Sequence, residues 1–176
     1  MTGAVVWITG LPSSGKSTLA ERARRALVGE GRASCVLDGD EVRGALVPSP
    51  GYDPEGRGAF YETLARLAAL LARQGMIVIV AATAHRRAYR ERARALAPRL
   101  VEVFVDVAPA TCRARDAKGL YRASGAGDVG ALPGADLEYE APASPEVVAR
   151  GGEDEAALRV IVDMARAWSA AAEAGA

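Results

Sequence analysis

Histidine occurs once in this chain of 176 residues, cysteine twice, and aromatic side chains make up only 5% of it. The two cysteines, Cys35 and Cys112, lie far apart with no C-x-x-C spacing. That argues against a zinc site and a disulfide framework, and it fits a reducing compartment in which both are core residues. His85, alone in its loop, has no assigned partner and is expected to play no chemical part. An excess of charge is also missing, since 22 Lys and Arg balance 22 Asp and Glu. A general binder of nucleic acid or membrane surfaces is thereby excluded, and any anion recognition must be local. No segment reaches the roughly 18 apolar residues that span a bilayer, and no basic stretch leads into a secretory apolar run. The expectation is a soluble, cytoplasmic protein. Lysine is scarce while Ala, Arg and Gly abound, a bias of coding that carries no chemistry. The length suits one α/β domain with a full core, residues 1–176.

Against this background one motif stands out. Gly10-Leu11-Pro12-Ser13-Ser14-Gly15-Lys16-Ser17-Thr18 has the form G-x-x-x-x-G-K-S-T and follows the apolar run of residues 4–9 directly. A strand delivers the loop, the glycines let successive N–H groups turn inward, and the helix beginning near Lys16 adds its positive dipole. The loop is built for a polyphosphate. Lys16 reaches the β- and γ-phosphates of ATP, the Ser17 hydroxyl ligates Mg²⁺, and Thr18 supports it.

Beyond the loop, helical and extended patterns alternate. Residues 17–30 read as a helix, 33–37 as a short strand, 59–74 as a helix after a Pro- and Gly-rich loop over 47–58, and 76–82 as a buried strand. A helix over 86–97, a strand over 100–107 and a proline-led helix over 109–117 follow. Residues 118–145 are polar and glycine-rich, which is how a mobile active-site cover reads. A short strand over 145–149 and an amphipathic helix over 153–172 complete the chain. The fold class expected is α/β, a P-loop NTPase fold. Its five-stranded parallel sheet has the order 2-3-1-4-5, with helices on both faces and a lid at about 118–145.

Phosphoryl transfer needs ligands for Mg²⁺, cations for the moving group and a carboxylate that orients the acceptor. Asp38 and Asp40 stand at the end of the second strand, beside the expected phosphate site. One can face the acceptor hydroxyl while the other faces the metal. Alternatively Asp40 is an N-cap. Arg43, one turn on, forms a local ion pair or holds an anionic acceptor. Arg57, in the loop among glycines, is a candidate anion clamp. Arg115, Lys118 and Arg122 cluster at the root of the cover, where they can neutralise developing charge. The arginines at 86, 87, 90, 92 and 94 repeat too densely around one helix to converge on one ligand and read as a solvated face.

Four blocks together resemble the adenylylsulfate kinases. They are the phosphate loop, Leu37-Asp38-Gly39-Asp40-Glu41-Val42-Arg43, Val103 to Val107, and Arg115-Asp116-Ala117-Lys118-Gly119-Leu120-Tyr121-Arg122 running to residues 134–142. The resemblance covers nearly the whole chain. It implies MgATP-dependent phosphorylation of the 3′-hydroxyl of adenosine 5′-phosphosulfate (APS), with ATP and Mg²⁺ as cofactors, a homodimer, and no nucleic-acid or membrane partner. By the same resemblance, Lys16, Asp38, Asp40 and Lys118 are catalytic, with Asp38 orienting the acceptor. Ser17 and Asp40 serve the metal, and residues 10–18 with Arg115 hold ATP. Asp38, Arg43, Tyr52, Arg57, Phe60, Lys118 and Leu132 bind the acceptor, Tyr52 by stacking on its adenine.

The departures from the family pattern gather on the acceptor side. Glu41 and Phe60 stand where asparagine is usual, residues 45–47 read Ala-Leu-Val for Gly-Leu-Asn, and residues 82–85 read Ala-Thr-Ala-His for Phe-Ile-Ser-Pro. Ala84 leaves no hydroxyl for a phosphoenzyme. Losing one or two specific hydrogen bonds changes acceptor choice by orders of magnitude. Two alternatives therefore stand beside the APS kinase reading: a kinase of another nucleotide-linked or small-molecule acceptor, and a nucleotide-binding switch without an acceptor.

Overall fold

A computed structural model of the chain describes residues 3–116, 119–125 and 131–173. Five parallel strands stand in the order β2-β3-β1-β4-β5, as the sequence predicts. They are β1 (Ala4–Gly10), β2 (Ser34–Asp38), β3 (Ile77–Ala81), β4 (Leu100–Val105) and β5 (Val147–Ala149). β1 lies between β3 and β4, with Trp7 opposite Val80 on one side and Glu102 on the other. Every residue of β1 is buried, which is why its sequence is continuously apolar rather than alternating.

The helices among the described residues are α1 (Lys16–Gly29), α2 (Gly39–Ala45), α3 (Pro54–Arg73), α4 (Arg87–Leu96), α5 (Pro109–Arg115), α6 (Leu120–Gly125) and α7 (Glu155–Glu173). Strand residues alternate between two cores. Val6 and Ile8 pack with Leu19 and Leu27 of α1 and Ile161 of α7, whereas Val5 and Trp7 pack with Phe60 and Leu64 of α3 and Ala93 of α4. Each fully buried leucine adds about 2 kcal/mol to this frame. Both faces are thus fixed, and the strands' carboxyl ends are left to carry the site.

Three expectations need correction. The helix expected over 59–74 begins five residues earlier, at Pro54. Asp53 caps it by accepting from the Gly56 N–H at 2.9 Å, and proline is tolerated in a first turn because its missing N–H has no partner there. Pro and Gly here mark a helix start, so Arg57 sits on α3 and not in a loop. The segment after β2 is the helix α2, capped by Asp38 through the Asp40 N–H at 2.9 Å; Asp40 is not the cap. The arginines of α4 are not all solvated. Arg90 is buried, with Nε 2.7 Å from Glu102 Oε1 and Nη2 2.6 Å from the Glu140 carbonyl. Arg92 pairs with Glu62 and Arg94 with Glu146.

Cys112 is fully buried, as expected, and Cys35 partly so. His85 is buried and its Nδ1 has no hydrogen-bond partner among the described residues. Burial first, and then the charges of Arg57 and Arg86, lower its pKa to about 4. No helix among the described residues is long and apolar enough to cross a membrane.

Candidate active site

The phosphate loop closes as its sequence requires. Gly10 has φ 154° and Gly15 φ 106°, conformations that L side chains rarely adopt. A Cβ on Gly10 would stand 2.7 Å from the Val105 carbonyl, and one on Gly15 2.5 Å from the Gly152 nitrogen. Both are therefore places where another backbone comes close. Lys16 Nζ bends back to donate to the Leu11 carbonyl at 2.7 Å, holding the ammonium over the loop. Ser17, on the first turn of α1, donates to Asp38 Oδ2 at 2.5 Å. The other oxygen of the same carboxylate caps α2. Asp38 thus ties the phosphate loop to α2, and Asp40 stands exposed on the first turn of that helix.

One cavity of about 1070 Å³ runs across these elements, lined by Lys16, Ser17, Thr18, Asp38, Asp40, Arg43, Tyr52, Arg57, Phe60, Arg115 and Leu132. Its size is at the upper end for small-molecule sites, with room for a nucleotide and a second substrate. Arg43 and Arg57 are both buried. Arg43 Nη1 donates to the carbonyls of Pro50 at 2.8 Å and Gly51 at 3.0 Å. Arg57 donates through Nε to the Tyr52 carbonyl and through Nη2 to the Ala131 carbonyl, both at 2.6 Å. Neither has a carboxylate partner among the described residues. Two buried cations that meet carbonyls and aromatic rings, and no carboxylate among the described residues, are suited to an anion. Tyr52 is 55% exposed, open to stack on a ligand.

Lys118 lies outside the described residues. Of its neighbours, Arg115 lines the cavity, whereas Arg122 turns outward and pairs with Asp116 at 3.5 Å. Burial opposes the charge on Asp116. The N–H groups of Tyr121 and Arg122, together with the Arg122 guanidinium, outweigh it and hold the pKa low. The beginning of the cover touches the loop, for the Tyr121 hydroxyl donates to the Pro12 carbonyl at 3.3 Å. The other end is anchored. The Glu140 N–H donates to the His85 carbonyl at 2.8 Å, and the Tyr139 hydroxyl lies 3.0 Å from Thr9 Oγ1.

The segment Arg150-Gly151-Gly152-Glu153-Asp154 was missed in the sequence, yet it lines the same cavity. Gly152 packs on the phosphate loop, and its carbonyl accepts from Arg22 Nη1 at 3.1 Å. A glycine pair just past a strand's carboxyl end was the available signal. Among the described residues no cluster of three or more His, Cys, Asp or Glu could cage a metal. The Ser17 hydroxyl and the carboxylates of Asp38 and Asp40 are hard oxygen donors, and they suit Mg²⁺ completed by phosphates and water.

A family model described as adenylylsulphate kinase matches residues 2–150. The chain belongs to the adenylylsulphate kinase family. It is 40% identical over 148 residues to an adenylyl-sulfate kinase of Microcystis aeruginosa, covering 84% of this chain and 82% of that protein. An adenylyl-sulfate kinase of Aeromonas salmonicida is 43% identical over 145 residues, 81% of this chain and 74% of the other. Among solved structures, the Mycobacterium tuberculosis APS kinase CysC in complex with AMPPNP and APS superposes with a TM-score of 0.81 at 31% identity, covering 98% of both chains. Against the adenylylsulphate kinase pattern, the donor loop is intact here. The altered positions Phe60, Thr83 and Ala82 all line the cavity.

Proposed function

We propose that this protein transfers the γ-phosphoryl group of MgATP to the 3′-hydroxyl of APS, giving 3′-phosphoadenosine 5′-phosphosulfate and ADP. The observation that carries the reading is Asp38. Its carboxylate meets Ser17 of the donor loop at 2.5 Å and shares one cavity with two buried arginines that have no carboxylate partner among the described residues. The loop N–H groups and Lys16 grip the β- and γ-phosphates. Ser17 and Asp40 would hold Mg²⁺, which when bound would neutralise the charge developing on the phosphates. Asp38 accepts a hydrogen bond from the acceptor hydroxyl and takes its proton as the oxygen bonds to the γ-phosphorus and ADP departs. Arg43 and Arg57 hold the phosphosulfate anion, Tyr52 stacks on the adenine, and Leu132 closes over it. Arg115 and Lys118 stabilise the transferring group from the cover.

In this reading the chain is one kinase domain with a lid over about 118–145, working as a homodimer in the cytoplasm. An ADP-release assay over APS, AMP and other nucleotide-linked acceptors tests it. Saturable, APS-dependent ADP formation is expected. Turnover of another acceptor in preference to APS would assign the cavity to a different substrate, and ADP release without any acceptor would make the protein a nucleotide hydrolase. Gel filtration at micromolar concentration tests the dimer.

A further inference from the structure

Phe60 offers no hydrogen bond, yet it lies against a residue that does. Its ring centre is 3.9 Å from the Arg43 guanidinium carbon, and the Tyr52 ring centre is 4.5 Å from the same atom. Among the described residues all side-chain hydrogen bonds of Arg43 leave from Nη1. Rings packed on the guanidinium remove water without consuming an N–H, so the remaining donors stay available in the guanidinium plane. Phe60 is itself held. It meets Tyr61 edge to face at 5.2 Å, the Tyr61 hydroxyl accepts from the Ala84 N–H at 3.0 Å, and Tyr61 stacks on Tyr89 at 4.6 Å. An aromatic column from α4 through α3 therefore ends under the cation on α2.

We propose that Phe60 is the positioning residue that orients Arg43 for the anionic group of the acceptor, so that this wall of the cavity selects through a fixed cation and its N–H donors, with no hydrogen bond from Phe60 itself. The proposal rests on the reading of the cavity as an APS site. An arginine already fixed loses less rotamer freedom on binding than one that must be ordered by the ligand. A cation held on a desolvated ring gives a tenfold to roughly thirtyfold effect on affinity.

The test is equilibrium binding of APS and, separately, of ADP to the full chain by calorimetry. Phe60→Met keeps the volume without a ring and should weaken APS about tenfold while leaving ADP unchanged. Phe60→Tyr keeps the ring and should stay within about threefold of the wild type. In an Arg43→Gln background, Phe60→Met should add less than about twofold, because the residue it acts through is gone. Unchanged APS affinity in Phe60→Met, or a full effect persisting without Arg43, overturns the proposal. Wild type that binds ADP but not APS overturns both this and the APS reading. ADP binding is the folding control, and Phe60→Leu takes the place of Phe60→Met should that variant not hold ADP.

Discussion

Asp38 carries two loads that one pair of substitutions can separate. Its Oδ1 caps α2 through the Asp40 N–H at 2.9 Å, and its Oδ2 accepts from Ser17 Oγ at 2.5 Å. Asparagine keeps a carbonyl oxygen for the cap but cannot take a proton from the acceptor hydroxyl. Alanine removes both functions. Losing the cap costs about 1 kcal/mol, and in a chain of this size that lowers the melting temperature by about 2–4 °C. Losing the base costs about 10²–10⁴ in turnover. Asp38→Asn should therefore melt within about 1 °C of the wild type while kcat, followed by coupled ADP release at saturating ATP and APS, falls at least a hundredfold. Asp38→Ala should show the same kinetic loss together with the lower melting temperature. If Asp38→Asn keeps more than about a third of wild-type kcat while Asp38→Ala does not, the carboxylate is a helix cap and its charge plays no part in catalysis.

Three further outcomes are expected. Gly152→Ala places a Cβ 2.7 Å from Thr18 Cβ and 2.8 Å from the Gly15 carbonyl, displacing the phosphate loop. It should lower kcat/KM for ATP about a hundredfold in initial-rate assays while the APS affinity changes little. Arg90→Met leaves Glu102 without its 2.7 Å partner in a largely buried setting and strips donors from the Ala84 and Glu140 carbonyls. Urea unfolding should show a loss of about 3–5 kcal/mol. His85 has a folded pKa of about 4 against an ordinary 6.5, so below pH 6.5 the unfolded chain binds the extra proton. Its contribution is complete above pH 6.5 and is lost as pH falls toward 4. Wild type should lose about 2 kcal/mol more than His85→Gln between pH 7 and pH 4.5, measured by urea midpoints.

The donor half of this site was legible in the residues because its geometry is local. A strand, a loop with glycines at fixed offsets and the start of the following helix lie within the fifteen positions 4–18, and the positive φ values at Gly10 and Gly15 are announced by their residue type, although that of Ser13 is not. The parallel sheet was likewise readable, since β1 and β3 are apolar runs covered on both faces and the helices between strands force parallel crossovers, while the strand order is the one expected of the P-loop fold. Arg57 was misplaced into a loop because Pro and Gly mark loops and helix starts alike, and only the Asp53 cap distinguishes them. Arg90 was misread because periodicity shows which face a residue occupies on α4 and says nothing of the Glu102 carboxylate on β4 that makes burial tolerable.

The proposed acceptor half was decided by tertiary structure. Tyr52, Arg43 and Phe60 come from a loop and two helices, and nothing in their spacing says that two rings converge on one guanidinium. The same holds for Gly152, which reaches the phosphate loop from more than 130 residues away. Local backbone rules write the grip on ATP into a short stretch of chain, whereas the choice of acceptor depends on side chains that meet only after the sheet has brought its strands' carboxyl ends together.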